Sequence, residues 1–400
     1  MATSAKKKRL DDDDGTNSSN NIEMDPAVAR KLLVEGATVI VRDVPPGTEF
    51  GLDMNSWNVG DQFMGVKMIP PGIHYVYYSA VNLAERSTAP RTGFFHNFGR
   101  GEMLIRRWDP KVEDIVDDIT EEDKIRMKDD IKNIDKHLGV YPYHSWKKWI
   151  SLSSHISEAT LNRLEPMTAK ICSVADLVPD NSGGEGVHDQ LHGDQSDPRL
   201  PAMVARPGTS IRYTTHPTRR YPEGSSPAEI TQHSMDATHQ LSVLLGTMDK
   251  MYGDQVSSSM SHQDNYREVL AEIQFAFLCF LVGMNYDSFE QWKRLVVMMC
   301  RCDEGLVKYE TLFMDFITML FFQMKEVPKD FFVDIVSSSN FLSSCLSSLF
   351  SNIKTSSEVD KKLKDKAEKF EANVTKRFGW DFTIDQDEDS PVVVESSDKC

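Results

Sequence analysis

Short runs of β-type residues alternate with turn signals between residues 37 and 108, and residues 63–69 alternate apolar with small or polar positions, which is typical of half-buried β-strands. Glycine, proline and asparagine turn signals separate these runs at intervals of roughly ten residues. The pattern predicts a series of strands that close into a β-sandwich or barrel. The predicted strands cover residues 37–44, 48–52, 63–69, 73–81, 93–98 and 103–108.

Helical signals surround these strands. Aspartate marks a helix start because its side chain caps the free N–H groups of the first turn. Proline fits in the first turn without losing a backbone hydrogen bond, and glycine marks a helix end. The helices predicted here are one opened by Asp25-Pro26 and closed by Gly36, one over residues 115–138, one with Trp146, Trp149 and Ile150 on one side, and one over residues 157–164. Glycine, aspartate and serine dominate residues 180–206, which predicts a flexible loop, and residues 208–214 predict one more strand.

The apolar period changes to that of an α-helix after residue 222. Ser226, Pro227 and Glu229 form a capping box at the start of a helix that runs to Leu245. The segment 269–282 is apolar on nearly all sides, which predicts a central, buried helix. The remaining helices are predicted over residues 289–302, 307–323, 329–336, 341–353 and 359–378. Short connections between consecutive helices indicate a bundle or a short solenoid.

These patterns predict an α+β protein of two domains, and a chain of 400 residues is long enough for both. A β-rich domain with docked helices covers residues 24–215, and an all-helical domain covers residues 222–382. Residues 1–23 are polar and predict a disordered extension. Residues 383–400 predict an acidic tail that contains a short apolar strand.

Composition narrows the possible functions. The formal net charge of −16 argues against a general nucleic-acid-binding protein and favours a partner with a basic surface. Six scattered cysteines show no disulfide framework, so reduced thiols in the cytosol or nucleus are expected. The amino terminus lacks an apolar signal segment, and the longest apolar block is about half of the ~20 residues that cross a bilayer.

The sequence gives weak signals for metal ligands. Cys300 and Cys302 lack a second cysteine pair and lie within a predicted helix, where core packing explains them better than zinc. His188 and His192 have helical ligand spacing but lie in the predicted flexible loop. His233 and His239 are six residues apart on one predicted helix and are expected on different faces. We therefore predict neither a metal nor a cofactor.

Catalytic signals are equally weak. Phosphate loops, dinucleotide fingerprints and nucleophile elbows are missing from the sequence. The best enzyme hypothesis is a hydrolase or transferase assembled from Asp53, His74 and His96 around the β-domain. The tryptophans are expected to anchor the core, although any of them could be a binding hot spot. They are Trp57, Trp146, Trp149 and Trp292.

Both terminal segments carry candidate recognition signals. The basic run of Lys6, Lys7, Lys8 and Arg9 is a candidate nuclear-import signal, although an acidic run follows it directly and a solvated tail is the alternative. The acidic tail is interrupted by a β-type run formed by Pro391, Val392, Val393, Val394 and Glu395. Such a run could add a strand to the sheet edge of another protein, or it could fold back on its own domain or stay loose.

Several stretches, in order along both domains, resemble the Aar-two family of splicing factors, which assemble the U-five small nuclear ribonucleoprotein. They include GTEFG, NSW and GVKMIPPGIHY before residue 76, SWKKWISL at 145–152, YPEGSSPAEITQHSMD at 221–236, EIQFAFLCFLVG at 272–283, VPKDFFVDIVSSSNFL at 327–342 and PVVVE at 391–395. The similarity is poor in residues 1–23, 110–135 and 173–206, so no family site is carried over to those segments.

The resemblance implies a β-rich amino-terminal domain and a helical carboxy-terminal domain similar to the VHS superhelix. It also implies a non-enzymatic placeholder in the cytoplasm and nucleus. Family members bind the large central scaffold protein of the spliceosome at its RNase H-like and Jab/MPN-like domains, and they block an RNA helicase and spliceosomal RNA. Phosphorylation within residues 257–261 is expected to weaken that binding by adding negative charge. The alternative is a VHS-like adaptor in membrane trafficking.

Overall fold

A computed structural model of the chain describes residues 24–82, 87–179, 203–253, 262–328, 331 and 340–382. Strands come first and helices dominate the second half, which confirms the α+β class. The strands are β1 Ala37–Arg42, β2 Glu49–Leu52, β3 Asn55–Asn58, β4 Gly65–Ile69, β5 Gly72–Ser79, β6 Val81–Asn82, β7 Ser87–Thr88, β8 Thr92–Phe98, β9 Met103–Asp109, β10 Asp114–Val116, β11 Leu138–Val140, β12 Ile171–Cys172, β13 Leu177–Pro179 and β14 Met203–Ala205.

The structure interrupts three helices that were each predicted as single: at Asp130, at Asp236 and Ala237, and at Tyr309. The helices are α1 Pro26–Glu35, α2 Glu121–Asp129, α3 Ile131–Ile134, α4 Trp146–Ser153, α5 Glu158–Leu164, α6 Pro227–Met235, α7 Thr238–Gly253, α8 His262–Leu281, α9 Tyr286–Cys300, α10 Glu304–Lys308, α11 Glu310–Glu326, α12 Phe341–Thr355 and α13 Lys361–Phe378. Short 3₁₀ turns lie at Asp135–His137 and Tyr143–Ser145. Among the described helices, none combines the length and the apolar character that crossing a bilayer requires.

The amino-terminal half is a sandwich of two five-stranded sheets. The first sheet is mixed and has the order β10-β9-β1-β4-β11, and the second is antiparallel with the order β12-β8-β5-β2-β3. Alternate residues of the two sheets face each other and form one buried core, which includes Val39, Phe50, Val76 and Trp108. Burial of these side chains removes apolar surface from water and holds the sheets together.

The outer faces of both sheets are also covered. Ile40 and Ile105 of the first sheet pack against Met127 and Ile134 of α2 and α3. Residues on the outer face of the second sheet, such as Tyr75, belong to a large core shared with the helices. The central strands β1 and β5 are therefore covered on both faces, and most of their residues are buried.

Strand β4 depends on a glycine where it meets β1. Gly65 has a φ of +139°, and a Cβ atom there would lie 1.9 Å from the Val39 carbonyl oxygen. Only glycine adopts this backbone conformation without strain and allows so close an approach. The register of the β1–β4 pair shifts between Ala37 and Val39, as expected of a bulge.

Helix α8 is the central element of the second half, as predicted. The eleven consecutive residues 269–279 have no exposed surface. The helix packs against α4 and α5 of the first half and against α7, α9 and α11 of the second. Its Phe275 ring lies 5.0 Å from the Phe95 ring of the second sheet, so the two halves share one core.

Besides the break at Tyr309 in the helix predicted over 307–323, three predicted elements differ from the structure. Residues 115–138 do not form one helix, because Asp114–Val116 pairs with β9 and Leu138–Val140 pairs with β4 at either end of the shorter helices. Residues 208–214 form no strand: the Arg212 N–H donates to the Leu164 carbonyl, and the Thr214 N–H donates to the Glu272 carboxylate. The helix predicted to run to Leu245 breaks at Asp236.

Two further predictions fall largely outside the described residues. The helix predicted over 329–336 is described only at Phe331, which lies in a turn. The loop predicted over 180–206 is described only at its end, where Met203–Ala205 pairs with Leu177–Pro179 as a strand.

Candidate interaction surfaces

Asp53 and His74, from the hydrolase hypothesis, form a buried polar cluster in the β-domain. The Asp53 carboxylate accepts hydrogen bonds from the His74 Nδ1 and the Tyr141 hydroxyl, both at 2.7 Å, and from the Tyr75 N–H at 3.0 Å. The His74 Nε2 lies 2.7 Å from the Pro70 carbonyl oxygen. Both ring nitrogens of His74 therefore face acceptors, an arrangement that an imidazolium beside a carboxylate satisfies. Burial and the Asp53 charge raise the pKa of Tyr141, which keeps its hydroxyl a donor.

His96 does not join this cluster. Its Nε2 lies 2.8 Å from the Glu102 carboxylate at the surface. Asp53 and His74 are 0% and 1% exposed, so a substrate cannot reach them. The three residues do not form the pocket that the hydrolase hypothesis needs. Asp53 and His74 instead belong to a buried hydrogen-bond network that fixes the packing of β5.

The cysteine pair belongs to the helical core, as predicted. Cys300 and Cys302 are buried, and burial raises the pKa of both thiols. Their protonated form is poorly suited to bind metal. Within the described residues, no cluster of three or more histidine, cysteine, aspartate or glutamate side chains could hold a metal ion. His188 and His192 lie outside the described residues.

The prediction for His233 and His239 is wrong. They were expected on different faces of one helix, but the helix breaks between them and their ring centroids lie 5.4 Å apart. Burial and the neighbouring His233 lower the pKa of His239, which disfavours a second positive charge there.

Among the tryptophans, Trp149 and Trp292 anchor the core as predicted, Trp146 is half-buried, and Trp57 is not a core residue. Trp57 is 40% exposed and lies on β3, at the edge of the second sheet. An edge strand presents backbone donors and acceptors, and an exposed tryptophan beside it is a frequent binding hot spot. We call Asn55–Asn58 the edge-strand surface.

An apolar groove lies where α8, the start of α9 and the end of α11 meet. Its volume is about 290 Å³, and large side chains line it. Met284 and Tyr286 are more than half exposed there, and Phe331 is 43% exposed. Exposed aromatic and methionine side chains of this kind are typical of protein-binding surfaces. The lining residues of this aromatic groove are Phe280, Leu281, Met284, Tyr286, Val327, Pro328 and Phe331.

A second groove, of about 470 Å³, is basic although the chain is acidic. None of its described lining residues is acidic, and its charged side chains come from α9 and from the segment that joins the two halves. The exposed Arg220 and Arg294 make no ion pair with any described residue. The polar residues of this basic groove include Arg220, Lys293, Arg294, Arg301, His216 and His233.

Burial and charge keep His216 of the basic groove neutral. Burial lowers its pKa, the Glu272 carboxylate partly offsets this, and Arg294 lowers the pKa again. Its Nε2 is buried and makes no hydrogen bond with the described part of the chain. Sequence reasoning missed this groove, although Lys293, Arg294 and Arg301 recur at helical spacing and could have indicated it.

The remaining predicted recognition segments lie outside the described residues. They are the import candidate Lys6, Lys7, Lys8 and Arg9, the serine-rich segment 257–261, and the tail strand Pro391, Val392, Val393, Val394 and Glu395.

Comparison with known proteins identifies the family. The model of the AAR2 N-terminal domain matches residues 35–166, and the model of the AAR2 C-terminal repeat region matches residues 213–383. The "Protein AAR2 homolog" of Mus musculus is 42% identical over 389 residues, which cover 94% of this chain and 98% of the relative. The Homo sapiens homolog is 42% identical over 388 residues (94% and 97%), and that of Caenorhabditis elegans is 37% identical over 378 residues (90% and 98%). The chain belongs to the AAR2 family.

Membership in the AAR2 family confirms the resemblance seen in the sequence. The AAR2 N-terminal match contains the first sheet, all strands of the second sheet except β12, and α4 and α5, and the AAR2 C-terminal match contains α6–α13. The edge-strand surface belongs to the first region, whereas the aromatic groove and the basic groove belong to the second. The tail strand lies beyond both matched regions.

Proposed function

We propose that this AAR2-family chain is a non-enzymatic assembly factor for the U-five small nuclear ribonucleoprotein. In this proposal it binds the large central scaffold protein of the spliceosome at its RNase H-like and Jab/MPN-like domains. The observation that carries the proposal is AAR2 similarity over nearly the whole chain, which implies a splicing-related role. A bound placeholder excludes an RNA helicase and RNA by mass action, until its own affinity falls.

The surface of the protein supports a role in protein binding. The edge-strand surface offers unpaired backbone groups beside Trp57, and the aromatic groove exposes Met284, Tyr286 and Phe331. Both are broad, open surfaces with apolar anchors, which suits a protein partner better than a small substrate. The buried cluster of Asp53 and His74 offers no such access.

We propose that the tail residues Pro391 to Glu395 add a strand between the two domains of the partner. Three consecutive valines favour an extended backbone, and proline at the first position needs no N–H in the ladder. Main-chain hydrogen bonds would supply affinity in this mode, and alternate valine side chains would supply specificity.

The test measures the affinity of the full chain for a scaffold fragment that contains both domains. Val393→Pro removes one backbone donor and is expected to weaken binding about tenfold, which equals about 1.4 kcal/mol. Val393→Thr keeps the donor and the β-branched shape, so it should bind like the parent. Equal affinities for all three chains would remove the tail strand from the proposal.

Capture from cells tests the wider proposal, including our expectation that the protein acts in both cytoplasm and nucleus. The full chain is used as bait in separate cytoplasmic and nuclear fractions. Recovery of the scaffold protein from both fractions, chiefly without its RNA helicase, is expected. If the scaffold protein is not captured and the purified scaffold fragment also fails to bind the full chain, the proposed assembly role is wrong.

A further inference from the structure

The basic groove and the carboxy-terminal tail carry opposite charges. We propose that the acidic run of the carboxy-terminal tail, at residues 385–389, docks into the basic groove of the free protein. This run consists of Asp385, Gln386, Asp387, Glu388 and Asp389. The inference concerns the free protein and goes beyond the proposed partner binding.

The described part of the chain ends beside α12, a helix that also lines the groove. The Phe382 ring lies 5.1 Å from the Phe350 ring on α12. Phe341, at the first residue of the same helix, lines the groove. Nine residues of α-helix separate these two phenylalanines, an axial rise of about 13.5 Å at ~1.5 Å per residue, and this spacing of two and a half turns places them on opposite faces of α12.

The tail is long enough to cover this distance. An extended chain advances about 3.3 Å per residue, so the segment from Asp387 to Asp389 can reach about 17–23 Å beyond Phe382. That reach exceeds the axial rise of about 13.5 Å between Phe350 and Phe341. To enter the groove, the acidic run passes around α12 from the Phe350 face to the Phe341 face.

The charges of the groove and the run are complementary. Four cationic side chains line the groove without a described acidic neighbour in it, and the acidic run carries four carboxylates. The Arg220 and Arg294 guanidinium groups are exposed and free of ion pairs among the described residues, so they can bind carboxylates in bidentate geometry. The neutral His216 places an unpartnered ring nitrogen at the same site.

Tethering makes a weak contact sufficient. Exposed ion pairs are individually weak, but a short linker gives the tail an effective concentration on the order of millimolar at the groove. A docked acidic run would hold the adjacent tail strand on its own protein. Competition with the spliceosomal partner would follow from this contact, and that consequence alone rests on the proposed function.

Zero-length cross-linking of the full chain tests the contact without any partner. A water-soluble carbodiimide joins the Lys293 amine to a carboxylate only when the two are in contact. We expect mass spectrometry to find Lys293 joined to Asp385, Asp387, Glu388 or Asp389 within one chain, as shown by mixing isotope-labelled and unlabelled protein. Because salt screens exposed charges, 0.5 M sodium chloride should reduce the yield (the Debye length is then about 4 Å).

A charge-reversal variant provides the comparison. Arg220→Glu combined with Arg294→Glu leaves Lys293 in place as the reporter and is expected to lower the cross-link yield at least fivefold. The control Arg30→Glu combined with Arg126→Glu changes the net charge equally at exposed sites on α1 and α2, and it should keep the parent yield. Cleavage within residues 385–389 by a glutamate- and aspartate-specific protease should be faster in the groove variant than in the control.

Two results would overturn the proposal. One is Lys293 joined only to its helix neighbour Glu290, whose carboxylate lies 2.7 Å away. The other is equal cross-link yield and equal cleavage of the tail in the groove variant and the control. After either result, an acidic segment of another molecule would be the remaining candidate for binding to the basic groove. Neither would affect the test of the tail strand with the scaffold fragment.

Discussion

The half-buried carboxyl group of Glu165, at the end of α5, shows how packing alone sets the charge of a residue. Burial raises its pKa to about 7, although a backbone hydrogen bond from Phe95 and the charge of Arg212 lower it in part. Its Oε1 is buried without a hydrogen-bond partner among the described atoms. The ionised form is therefore disfavoured by desolvation, which is costly for an unpaired carboxylate.

This residue predicts a pH-dependent stability. The pKa in the folded chain lies above the unfolded value of about 4.3, so the free energy of unfolding falls as the pH rises from about 4.3 to about 7. Glu165→Gln is expected to be more stable than the parent by about 1–2 kcal/mol at pH 8, and equally stable near pH 4.5. Urea unfolding at both pH values measures this difference. The exposed control Glu223→Gln should show no change with pH, and a pH-independent effect of Glu165→Gln would contradict the assignment.

Single residues also show what the sequence alone could not reveal. His74 lies in a strand whose apolar and polar positions suggested a half-exposed face, but β5 is covered on both faces. Asp53 is buried beside Tyr141 and His74, which are distant from it in the sequence but form hydrogen bonds with its carboxylate. Trp57 was expected in the core because of its residue type, and only the strand order places it at a sheet edge. The exposure of a side chain depends on which element packs over it, and the period of the apolar pattern does not specify that element.

At the scale of elements, Asp236 connects two helix starts. Its Oδ1 accepts hydrogen bonds from the Thr238 N–H at 2.8 Å, at the start of α7, and from the Asp303 N–H at 2.9 Å. Its Oδ2 accepts from the Glu304 N–H at 3.3 Å, at the start of α10. One carboxylate thus satisfies free backbone donors of two helices, and it lies at the positive end of both helix dipoles.

We predict that Asp236→Ala lowers stability by about 2–3 kcal/mol, since a helix cap typically contributes about 1 kcal/mol and this residue caps two helices. Asp25→Ala provides the matched comparison, because Asp25 caps only α1 through the Ala27 N–H, and it should cost about 1 kcal/mol. Urea unfolding of both variants gives the two losses. Equal losses would show that the contact with α10 does not stabilise the fold.

Local periodicity predicted the long elements well and the short ones poorly. The five longest strands and helix α8 carry enough residues of one period to be recognised. The observed bounds of these strands lie within a few residues of the predicted ones, whereas α8 begins at His262 instead of residue 269. The strands β10 to β14 have three residues or fewer, and, apart from β10 beside β9, they pair with strands that are distant in the sequence. Residues 208–214 have strand-like composition, but their backbone donors bind Leu164 and Glu272 instead of a strand.

For the whole molecule, the decisive feature is that the two AAR2 regions share a core and a buried charge cluster. Glu272 of α8 is fully buried, and its carboxylate lies 2.7 Å from the Arg163 guanidinium of α5. It also accepts hydrogen bonds from the Thr214 N–H at 2.9 Å and the Gln291 amide at 2.9 Å. This cluster joins the amino-terminal region, the connecting segment and the helical region at one point. The two regions should therefore unfold together.

Glu272→Gln tests this coupling, because it keeps the side-chain size but removes the charge beside Arg163. It also places an amide N–H donor opposite the donors of Thr214 and Gln291. Breaking a buried ion pair in this way is expected to cost about 3 kcal/mol. Hydrogen exchange should show an equal loss of protection in β5 of the sandwich and in α11 of the helical region, since both depend on the same core. The partly exposed pair of Glu290 and Lys293 supplies the control, and Glu290→Gln should cost less than about 1 kcal/mol. A loss of protection confined to α11 would mean that the two regions unfold independently, and the shared core would then contribute little to the stability of the sandwich.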